Sequence, residues 1–277
     1  MKHADIAIIG GSAAGLTAAI TARRHYPDKK IVLIRKEKQV LIPCGIPYIF
    51  GTVGSPEKNL IPDGVLEKNG IQLVLGEVTE LDREKGEVKT ASGETIAYDR
   101  LVLATGSLPT MPPVPGFELK NVFPVYKDVA HLSGMQEALK SVSDLVVIGG
   151  GFIGVEFADE CNKSLQANVT IVEMLPHCLM LAYDEEFCAA AEKLLSDRGV
   201  TPLTGAKVAR VAGKETVEGV DLASGKTLPA QAVIVGIGAT ASVNLAKNAG
   251  LPIGPTGGIV VDRTMRTPDP RIFACGD

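Results

Sequence analysis

Long apolar runs and basic runs are both absent from this sequence. No stretch approaches the roughly 18 apolar residues that a membrane span needs, and the apolar run at residues 6–9 is too short for a signal peptide. Lysine and arginine number 28 against 32 acidic residues, which gives a net charge of −4 and argues against nucleic acid as a partner. We therefore expect a soluble, cytoplasmic protein that contacts neither membrane nor nucleic acid.

Paired cysteine motifs are also absent. The chain has five cysteines, an odd number, widely spaced and without a C-x-x-C pattern: Cys44, Cys161, Cys178, Cys188 and Cys275. This pattern indicates neither a disulfide scaffold nor a zinc site, so we predict no metal. Any redox chemistry must then use one cysteine alone.

Length and glycine content show what the chain can build. With 277 residues, 45% of them hydrophobic, it is long enough for one large or two medium domains. Glycine, at 30 residues, exceeds its usual share of about 7%. Much of the excess lies at the ends of predicted strands, where backbone can approach a phosphate.

The first glycine-rich loop follows an apolar run at residues 6–9 and reads Gly10-Gly-Ser-Ala-Ala-Gly15 before a helix of small residues. Strand, glycine turn and helix open a dinucleotide-binding fold, because bare backbone and a helix N-terminus can receive a pyrophosphate. Ser12 replaces the middle glycine of G-x-G-x-x-G. Taken alone, this loop fits an ordinary strand-to-helix turn equally well.

The second predicted strand, residues 31–34, ends at Arg35-Lys36-Glu37, where the dinucleotide fingerprint has an acidic residue. Two interpretations of Arg35 stay open here. It belongs to a solvated basic cluster with the neighbouring lysines, or it contacts a phosphate or adenine.

The second glycine-rich loop is complete. A predicted strand at residues 145–148 leads into Gly149-Gly-Gly-Phe-Ile-Gly154, and the next strand ends at Glu173, 24 residues after Gly149. A carboxylate at about this separation accepts hydrogen bonds from the ribose hydroxyls of NAD, and it would repel the 2′-phosphate of NADP. The pattern predicts an NAD site.

The chain repeats one plan on both sides of a proline-rich linker, Met111–Gly116. Each copy has a strand, a glycine loop, a helix, a second strand, a predicted meander and a closing apolar strand that ends in glycine, at Gly106 and at Gly238. Two copies of one dinucleotide-binding unit explain this organisation most simply.

Cys44 lies in Leu-Ile-Pro-Cys-Gly-Ile-Pro-Tyr, residues 41–48, where two prolines stiffen the chain. The local sequence alone favours a small buried hydrophobic residue, which is the commonest state of a free cysteine. The nucleotide loops before and after Cys44 in the sequence favour a redox-active cysteine that is held in a fixed position.

In combination, these motifs resemble the pyridine-nucleotide disulfide oxidoreductase family, over essentially the whole chain. The resemblance rests on the two glycine loops, Ala104-Thr-Gly106, Gly236-Ile-Gly238 and Phe273-Ala-Cys-Gly-Asp277. It implies an α/β fold of two Rossmann-like domains, the second inserted into the first, each with a β-meander. The FAD-binding domain would be residues 1–112 and 244–277, and the NAD-binding domain residues 113–243.

The resemblance also implies which residues hold the cofactors. For FAD these are Gly10, Ser12, Ala13, Ala14, Gly15, Arg35, Lys36, Pro43, Val78, Ala104, Thr105, Gly106, Gly276 and Asp277, with Asp277 bonding the ribityl chain. For NAD(H) they are Gly149, Gly151, Phe152, Ile153, Gly154, Glu173, Gly236 and Gly238.

The single cysteine in Pro-Cys-Gly-Ile-Pro-Tyr, residues 43–48, is similar to the coenzyme A disulfide reductase and NADH oxidase branch of that family. This likeness implies that electrons pass from NADH through FAD to a disulfide or polysulfide at Cys44, with coenzyme A as a candidate substrate. Arg23 and Arg24 would pair with coenzyme A phosphates, or they form a solvated helix end.

Two alternatives to this function stay open. Cys44 would cycle through a sulfenic acid in an NADH oxidase or peroxidase, or the chain is a dinucleotide-binding redox module without turnover. Four further residues are predicted to be structural: His177, Cys161, Cys178 and Cys188.

The sequence stops one residue past Gly276, just after a predicted strand. We therefore expect a chain that is cut before the dimerisation domain of the family, with a homodimer only for a chain that carries this domain. Asp277 would be poorly held, and FAD would bind loosely.

Overall fold

The computed structural model describes residues 2–277, in which strands and helices alternate along the chain. The α-helices are α1 (Ala13–His25), α2 (Gly64–Lys68), α3 (Val129–Leu139), α4 (Phe152–Ser164), α5 (Glu185–Asp197) and α6 (Asn244–Asn248). Short 3₁₀-helices span Pro43–Gly45, Pro47–Phe50 and Pro56–Asn59. The strands are β1 (Lys2–Ile9), β2 (Ile31–Arg35), β3 (Val40–Leu41), β4 (Leu60–Ile61), β5 (Gln72–Leu75), β6 (Val78–Asp82), β7 (Glu87–Thr90), β8 (Thr95–Leu103), β9 (Ser107–Pro109), β10 (Val122–Pro124), β11 (Asp144–Ile148), β12 (Asn168–Val172), β13 (Val200–Leu203), β14 (Val208–Gly213), β15 (Val217–Leu222), β16 (Thr227–Pro229), β17 (Ala232–Val235), β18 (Ala239–Ala241) and β19 (Ile272–Ala274).

The chain divides into two compact units. Unit 1 contains the residues up to Pro43, Leu60–Leu108 and Thr240–Asp277, and unit 2 contains Cys44–Asn59 and Pro109–Ala239. Most of unit 2 therefore lies, in sequence, between two segments of unit 1. The main boundaries lie a few residues from the expected ones, but residues 44–59, which we placed in the first domain, group with the second.

Unit 1 is built on a parallel sheet in the order β5-β2-β1-β8. Strand β8 is long enough to pair twice on its other side. Its first half pairs antiparallel with β7, which pairs in turn with β6, and its second half pairs parallel with β19. The predicted meander thus continues from the parallel sheet.

Both faces of this sheet are buried, because alternate residues of its strands point into two different apolar clusters. Ile31 and Leu33 of β2 pack with Ala19 of α1 on one face. Val32 and Ile34 belong to the cluster on the other face, which includes residues of β7, β8, α6 and β19. All five residues of β2 are buried, the four apolar residues 31–34 and also Arg35.

Unit 2 has a parallel sheet in the order β10-β17-β11-β12-β13 and a separate antiparallel sheet of β14, β15 and β16. Valines of β11, β12 and β17 pack with apolar residues of the antiparallel sheet in one cluster. The predicted α/β class, with two Rossmann-like units and a meander in each, is confirmed. No helix within residues 2–277 is long and apolar enough to cross a membrane.

Candidate functional site

The loop between β11 and α4, in unit 2, carries the complete glycine pattern. Gly149 has a φ of 105°, a conformation that favours glycine. A methyl group on Gly154 would place its carbon 1.8 Å from the carbonyl oxygen of Gly149. The packing of the protein itself therefore requires these two glycines.

Gly151, the middle glycine of that loop, is not required by the packing of the described chain. Its φ is −75°, which any residue can adopt, and a methyl group there would meet no atom of the described chain within 4 Å beyond its own neighbours. The missing side chain instead leaves open space before the N-terminus of α4, where backbone N–H groups lack helical partners. A pyrophosphate fits this space and these donors.

Glu173 follows β12 directly and supports the same loop. One carboxylate oxygen accepts a hydrogen bond from the Gly150 N–H at 2.6 Å, and the other accepts from the Leu175 N–H at 2.7 Å. Each oxygen keeps a further lone pair that a ribose hydroxyl can use. The carboxylate thus holds the loop and lies where the NAD fingerprint places its acidic residue.

The other residues predicted for NAD lie around this loop. Gly236 follows β17, and a methyl group on it would be 3.1 Å from the Gly154 Cα. Phe152 is half exposed, and its ring meets that of Tyr183 edge-on with the centroids 5.9 Å apart. Gly238 has a φ of 114°, and a methyl group on it would meet no atom of the described chain within 4 Å beyond its own neighbours. The carboxyl ends of three parallel strands therefore gather the predicted NAD residues in one place.

The corresponding loop of unit 1 joins β1 to α1. Gly10 has a φ of 108°, and a methyl group on it would lie 1.9 Å from the carbonyl oxygen of Ala104. A methyl group on Gly15 would lie 2.0 Å from the Gly10 carbonyl oxygen. Ser12 is the N-cap of α1 with a φ of −86°, and its side chain makes no capping hydrogen bond in the described chain. The serine is thus compatible with the loop, and its hydroxyl lies at the helix N-terminus.

Two further predicted FAD segments meet this loop from the end of the sheet. Ala104 follows β8, and Gly276, with a φ of 83°, packs so closely on Ala14 that a methyl group would be 2.7 Å from the Ala14 Cβ. The Ser107 hydroxyl donates to the Asp277 carboxylate at 2.6 Å. The structure thus brings together the first loop, the end of β8 and the last residues of the chain.

Arg35 is only 4% exposed, so its interpretation as part of a solvated cluster is wrong. Its guanidinium donates to both carboxylate oxygens of Asp63, at 2.7 and 2.8 Å, and to the carbonyls of Glu37 and Lys38. Its stem lies against Gly11, where a methyl group would be 2.5 Å from the Arg35 Cδ. The Arg35 side chain therefore supports the loop by packing against Gly11. A contact between Arg35 and FAD stays a prediction.

Three other residues assigned to FAD have neighbours within unit 1. Lys36 is exposed and pairs with Glu77 across 3.5 Å. Val78 begins β6 and packs against the hydrophobic core, and Pro43 begins the first 3₁₀-helix. Their role toward the flavin stays a prediction.

The two arginines predicted to bind substrate differ in their surroundings. The Arg23 guanidinium donates to the carbonyls of Asn69, Pro27, Lys29 and Gly70 at 2.6 to 2.8 Å. These bonds favour a structural role for Arg23 over a contact with substrate phosphates. Arg24 is exposed near the C-terminus of α1, which is compatible with either interpretation.

Cys44 lies at the start of the segment 44–59, which belongs to unit 2, and its side chain is exposed. The interpretation as a small buried hydrophobic residue is therefore wrong. Buried Ile46, Ile49 and Phe50 anchor the turn that follows. Gly45 packs so closely on Asn59 that a methyl group would be 2.0 Å from the Asn59 Oδ1. An exposed thiol thus sits on a fixed backbone.

The other cysteines of unit 2 contrast with Cys44. Cys161, Cys178 and Cys188 are fully buried. Burial raises the pKa of the Cys161 thiol and that of the Cys178 thiol to about 12. These two groups stay protonated at neutral pH, which agrees with their predicted structural role, because the thiolate is the reactive form.

Comparison with known proteins identifies the family. Residues 4–277 match the pyridine nucleotide-disulphide oxidoreductase family. The chain belongs to this family. The resemblance inferred from the glycine loops and the single cysteine is thereby confirmed.

Members of this oxidoreductase family with different activities are similar to the chain. An NADH oxidase of Methanocaldococcus jannaschii is 34% identical, and an NAD(P)H coenzyme A polysulfide/persulfide reductase of Pyrococcus horikoshii is 33% identical; each match covers 98% of this chain and 62% of the relative. A solved ferredoxin reductase of Rhodopseudomonas palustris superposes with a TM-score of 0.89 at 30% identity, over 99% of this chain and 68% of that one. The chain thus spans less than two thirds of the length of the first two relatives.

Sequence reasoning missed two carboxylates that fix the site regions. Asp63 holds the Arg35 guanidinium from 28 residues away, and no motif marks it. Glu160 on α4 is 2% exposed and bonds to Thr52. No sequence signal marked Glu160, because the dinucleotide-binding fingerprint includes no residue at this position of the helix.

Proposed function

We propose that this chain binds FAD in unit 1 and NAD(H) in unit 2, and that it passes electrons from NADH to a disulfide or polysulfide through Cys44. The observation that carries the proposal is the exposed Cys44 thiol on a fixed backbone in the unit that holds the complete glycine loop. The similar coenzyme A polysulfide/persulfide reductase supports a sulfur acceptor.

The two loops fit the two cofactors. In unit 2 the open space at Gly151 admits a pyrophosphate to the N-terminus of α4, and Glu173 accepts from the ribose. In unit 1 the bare backbone at Gly10 and the Ser12 hydroxyl receive the pyrophosphate of FAD. When bound, FAD supplies a carrier that accepts two electrons from a nicotinamide and passes them to a sulfur group.

Cys44 performs the sulfur chemistry by thiol–disulfide exchange. Its thiolate attacks one sulfur of the acceptor disulfide, the acceptor S–S bond breaks, and one thiolate leaves while the other sulfur is bonded to Cys44. Two electrons that originate from NADH then break this mixed disulfide and return Cys44 to its thiolate. One NADH, one proton and one disulfide thus give NAD⁺ and two thiols.

Coenzyme A is the acceptor moiety that we favour, because the name of a similar reductase includes it. Arg24, exposed at the end of α1, is a better candidate for its phosphates than Arg23, whose guanidinium is engaged by backbone carbonyls. A homodimer stays an expectation from the resemblance.

Reduction of oxygen or peroxide is the second candidate, and the similarity to an NADH oxidase favours it. A peroxide would oxidise the exposed Cys44 thiolate to a sulfenic acid and leave as hydroxide or water. Two electrons and two protons would then restore the thiol and release water.

Turnover with a panel of acceptors tests the proposal. The wild-type chain and Cys44→Ser are supplied with FAD and NADH, then with coenzyme A disulfide, inorganic polysulfide, oxygen, hydrogen peroxide or a ferredoxin. We expect Cys44→Ser to keep FAD absorbance and its bleaching by NADH under argon, and to lose reduction of the sulfur acceptors. A hydroxyl is neither a leaving group nor a redox centre here.

Each other result selects another function. Reduction of sulfur acceptors by Cys44→Ser at the wild-type rate would overturn the role of Cys44. Reduction of ferredoxin alone, unchanged by the substitution, would place the chain with the similar ferredoxin reductase, since electron transfer to an iron–sulfur protein needs no thiol. FAD that NADH does not bleach would indicate a module without turnover.

A further inference from the structure

A buried carboxylate of α4 binds the segment that carries Cys44. Glu160 is 2% exposed, and one of its oxygens accepts a hydrogen bond from the Thr52 N–H at 2.6 Å. The other oxygen accepts from the Thr52 hydroxyl at 3.1 Å. Both groups of Thr52 therefore depend on one side chain of the helix.

The charge of Glu160 is compensated by the same helix. Lys163 donates to it at 2.7 Å, one turn further on. Burial raises the pKa of the Glu160 carboxyl, but the hydrogen bonds from Lys163 and Thr52 outweigh burial and hold this pKa below its usual range. Glu160 is thus ionised at neutral pH. Its buried charge fixes the positions of Lys163 and Thr52, which donate hydrogen bonds to it.

The contacts on either side of Thr52 show how closely the segment fits the helix. A methyl group on Gly51 would lie 2.5 Å from the Glu160 carbonyl oxygen and from its carboxylate. The Ser164 hydroxyl donates to the Phe50 carbonyl, and the rings of Phe50 and Phe157 have centroids 5.2 Å apart. Three successive residues, 50–52, are therefore held by the last turns of α4.

The backbone between this contact and Cys44 forms a closed turn. The N–H groups of Gly51 and Val53 both donate to the Tyr48 carbonyl, at 3.2 and 2.8 Å. Pro47 begins the 3₁₀-helix at residues 47–50, and Gly45 packs against Asn59. Contacts thus follow one another from residue 52 back to residue 45, so we expect a shift at residue 52 to displace Cys44 as well.

We propose that Glu160 is a positioning residue for Cys44. It holds the cysteine segment on α4, the helix whose N-terminus meets the nucleotide loop, so the thiol and the loop share one rigid support. The inference rests on the proposed function, since the reaction that it serves is sulfur reduction at Cys44.

Glu160→Ala and a control on the same helix test the proposal. Asp159 precedes Glu160 and pairs with Arg198 and with Lys163, the lysine that also pairs with Glu160. Asp159→Ala therefore removes a neighbouring carboxylate of α4 and leaves both Glu160–Thr52 hydrogen bonds in place. We measure hydrogen exchange at the Thr52 amide, bleaching of FAD by NADH under argon, and kcat and KM for NADH with a sulfur acceptor. Each is measured on the full chain supplied with FAD.

For Glu160→Ala we expect exchange at Thr52 to become about ten- to a hundredfold faster, because a charge-assisted hydrogen bond is lost. We expect kcat with the sulfur acceptor to fall about a hundredfold, as for a reacting group displaced by about 1 Å. Bleaching of FAD and KM for NADH should stay at wild-type values, and Asp159→Ala should match the wild type throughout. Glu160→Gln, which keeps one acceptor oxygen, should recover part of kcat.

Gly51→Ala provides a second route, because its methyl group pushes the segment off α4 without changing the helix. It should reproduce the fall in kcat. An unchanged kcat in both variants, despite faster exchange at Thr52, would overturn positioning while leaving the proposed function intact. An equal fall in kcat for Asp159→Ala would show that the effect comes from a general loss of stability of α4. It would also overturn the positioning role of Glu160. If the wild type reduces no sulfur acceptor, the proposed function fails and the positioning role falls with it.

Discussion

The two glycine loops follow one plan, and two differences between the units concern how each loop binds and how it is supported. At the middle of the pattern unit 1 has Ser12 and unit 2 has Gly151. At the end of the second strand unit 1 has Arg35, which is buried beside Gly11, and unit 2 has Glu173, which binds the Gly150 N–H.

The difference at the strand end shows that this position supports the loop in both units. A carboxylate accepts from the loop backbone and from Leu175, so Glu173 ties the loop to the chain after β12. A guanidinium has no acceptor to offer. Arg35 therefore supports its loop with the stem of its side chain and turns its donors to Asp63 and to two carbonyls. The ribose contact that we propose for Glu173 would be a further use of a residue that already holds the loop.

The largest expected effect on stability comes from replacing Arg35 at the strand end of unit 1 with a carboxylate, as unit 2 has in Glu173. Arg35→Glu would remove the buried guanidinium and place a carboxylate near Asp63 and the carbonyls of Glu37 and Lys38. We expect the free energy of unfolding to fall by about 3 kcal/mol, at the lower end for a broken buried pair because Asp63 is 44% exposed. Urea unfolding followed by circular dichroism measures it.

Arg35→Met separates the two roles of this side chain. It keeps an apolar stem beside Gly11 and removes the charge, so we expect a smaller loss of about 1 to 2 kcal/mol. Wild-type stability of Arg35→Glu would contradict this account. It would mean that the new carboxylate binds the Gly11 N–H as Glu173 binds Gly150, and that the two loops are interchangeable.

The next effect separates glycines required by packing from the glycine that leaves space for a ligand. In Gly154→Ala the new carbon would lie 1.8 Å from the Gly149 carbonyl oxygen, so we expect a loss of stability of about 2 to 3 kcal/mol. Gly151→Ala meets open space, and its thermal midpoint should stay near that of the wild type. It should weaken NADH binding about tenfold, or about 1.4 kcal/mol, measured by calorimetric titration.

The opposite ranking would contradict this division. If Gly151→Ala lost stability while Gly154→Ala kept it, the open space at Gly151 would not be the place of a ligand. Gly15→Ala in unit 1 is a parallel control for packing, because its methyl group would lie 2.0 Å from the Gly10 carbonyl oxygen.

The sequence predicted those parts of the molecule that depend on local patterns. Apolar runs ending in glycine located β1 and β11, and the spacing from Gly149 located Glu173 at the end of β12. The surroundings of Arg35 could not be predicted, since Asp63 is distant in sequence and a cluster of lysines suggested solvent. The grouping of residues 44–59 with unit 2 was also missed, because it depends on tertiary contacts such as that between Thr52 and Glu160.

Glu173→Gln sharpens the comparison at the level of single hydrogen bonds. One amide oxygen cannot serve both the Gly150 and the Leu175 N–H groups as two carboxylate oxygens do, so we expect a loss of about 1 to 2 kcal/mol in stability. The preference for NADH over NADPH should narrow about tenfold, since the charge that repels a 2′-phosphate is gone. Kd values for both nucleotides measure this preference.

Glu192→Gln is the matched control for Glu173→Gln. Glu192 also accepts from a backbone N–H, that of Cys178 at 2.7 Å, and pairs with His177, but it lies outside the glycine loop. It should lose similar stability and keep the cofactor preference. A narrowed preference in the control, or an unchanged one in Glu173→Gln, would show that Glu173 does not read the ribose.

The smallest expected effect comes from Ser12→Gly, which gives the loop of unit 1 the middle residue of unit 2. The Ser12 side chain makes no capping bond in the described chain, so stability should change by only a few tenths of a kcal/mol. If its hydroxyl donates to the pyrophosphate of FAD, the Kd for FAD should rise about tenfold, because a hydrogen bond to a charged group is lost. Fluorescence titration of FAD measures this Kd. A lower Kd for FAD would show instead that the Ser12 hydroxyl obstructs the pyrophosphate and that bare backbone suits both loops. The two units would then bind their nucleotides in the same way and differ only in the residue that supports the loop.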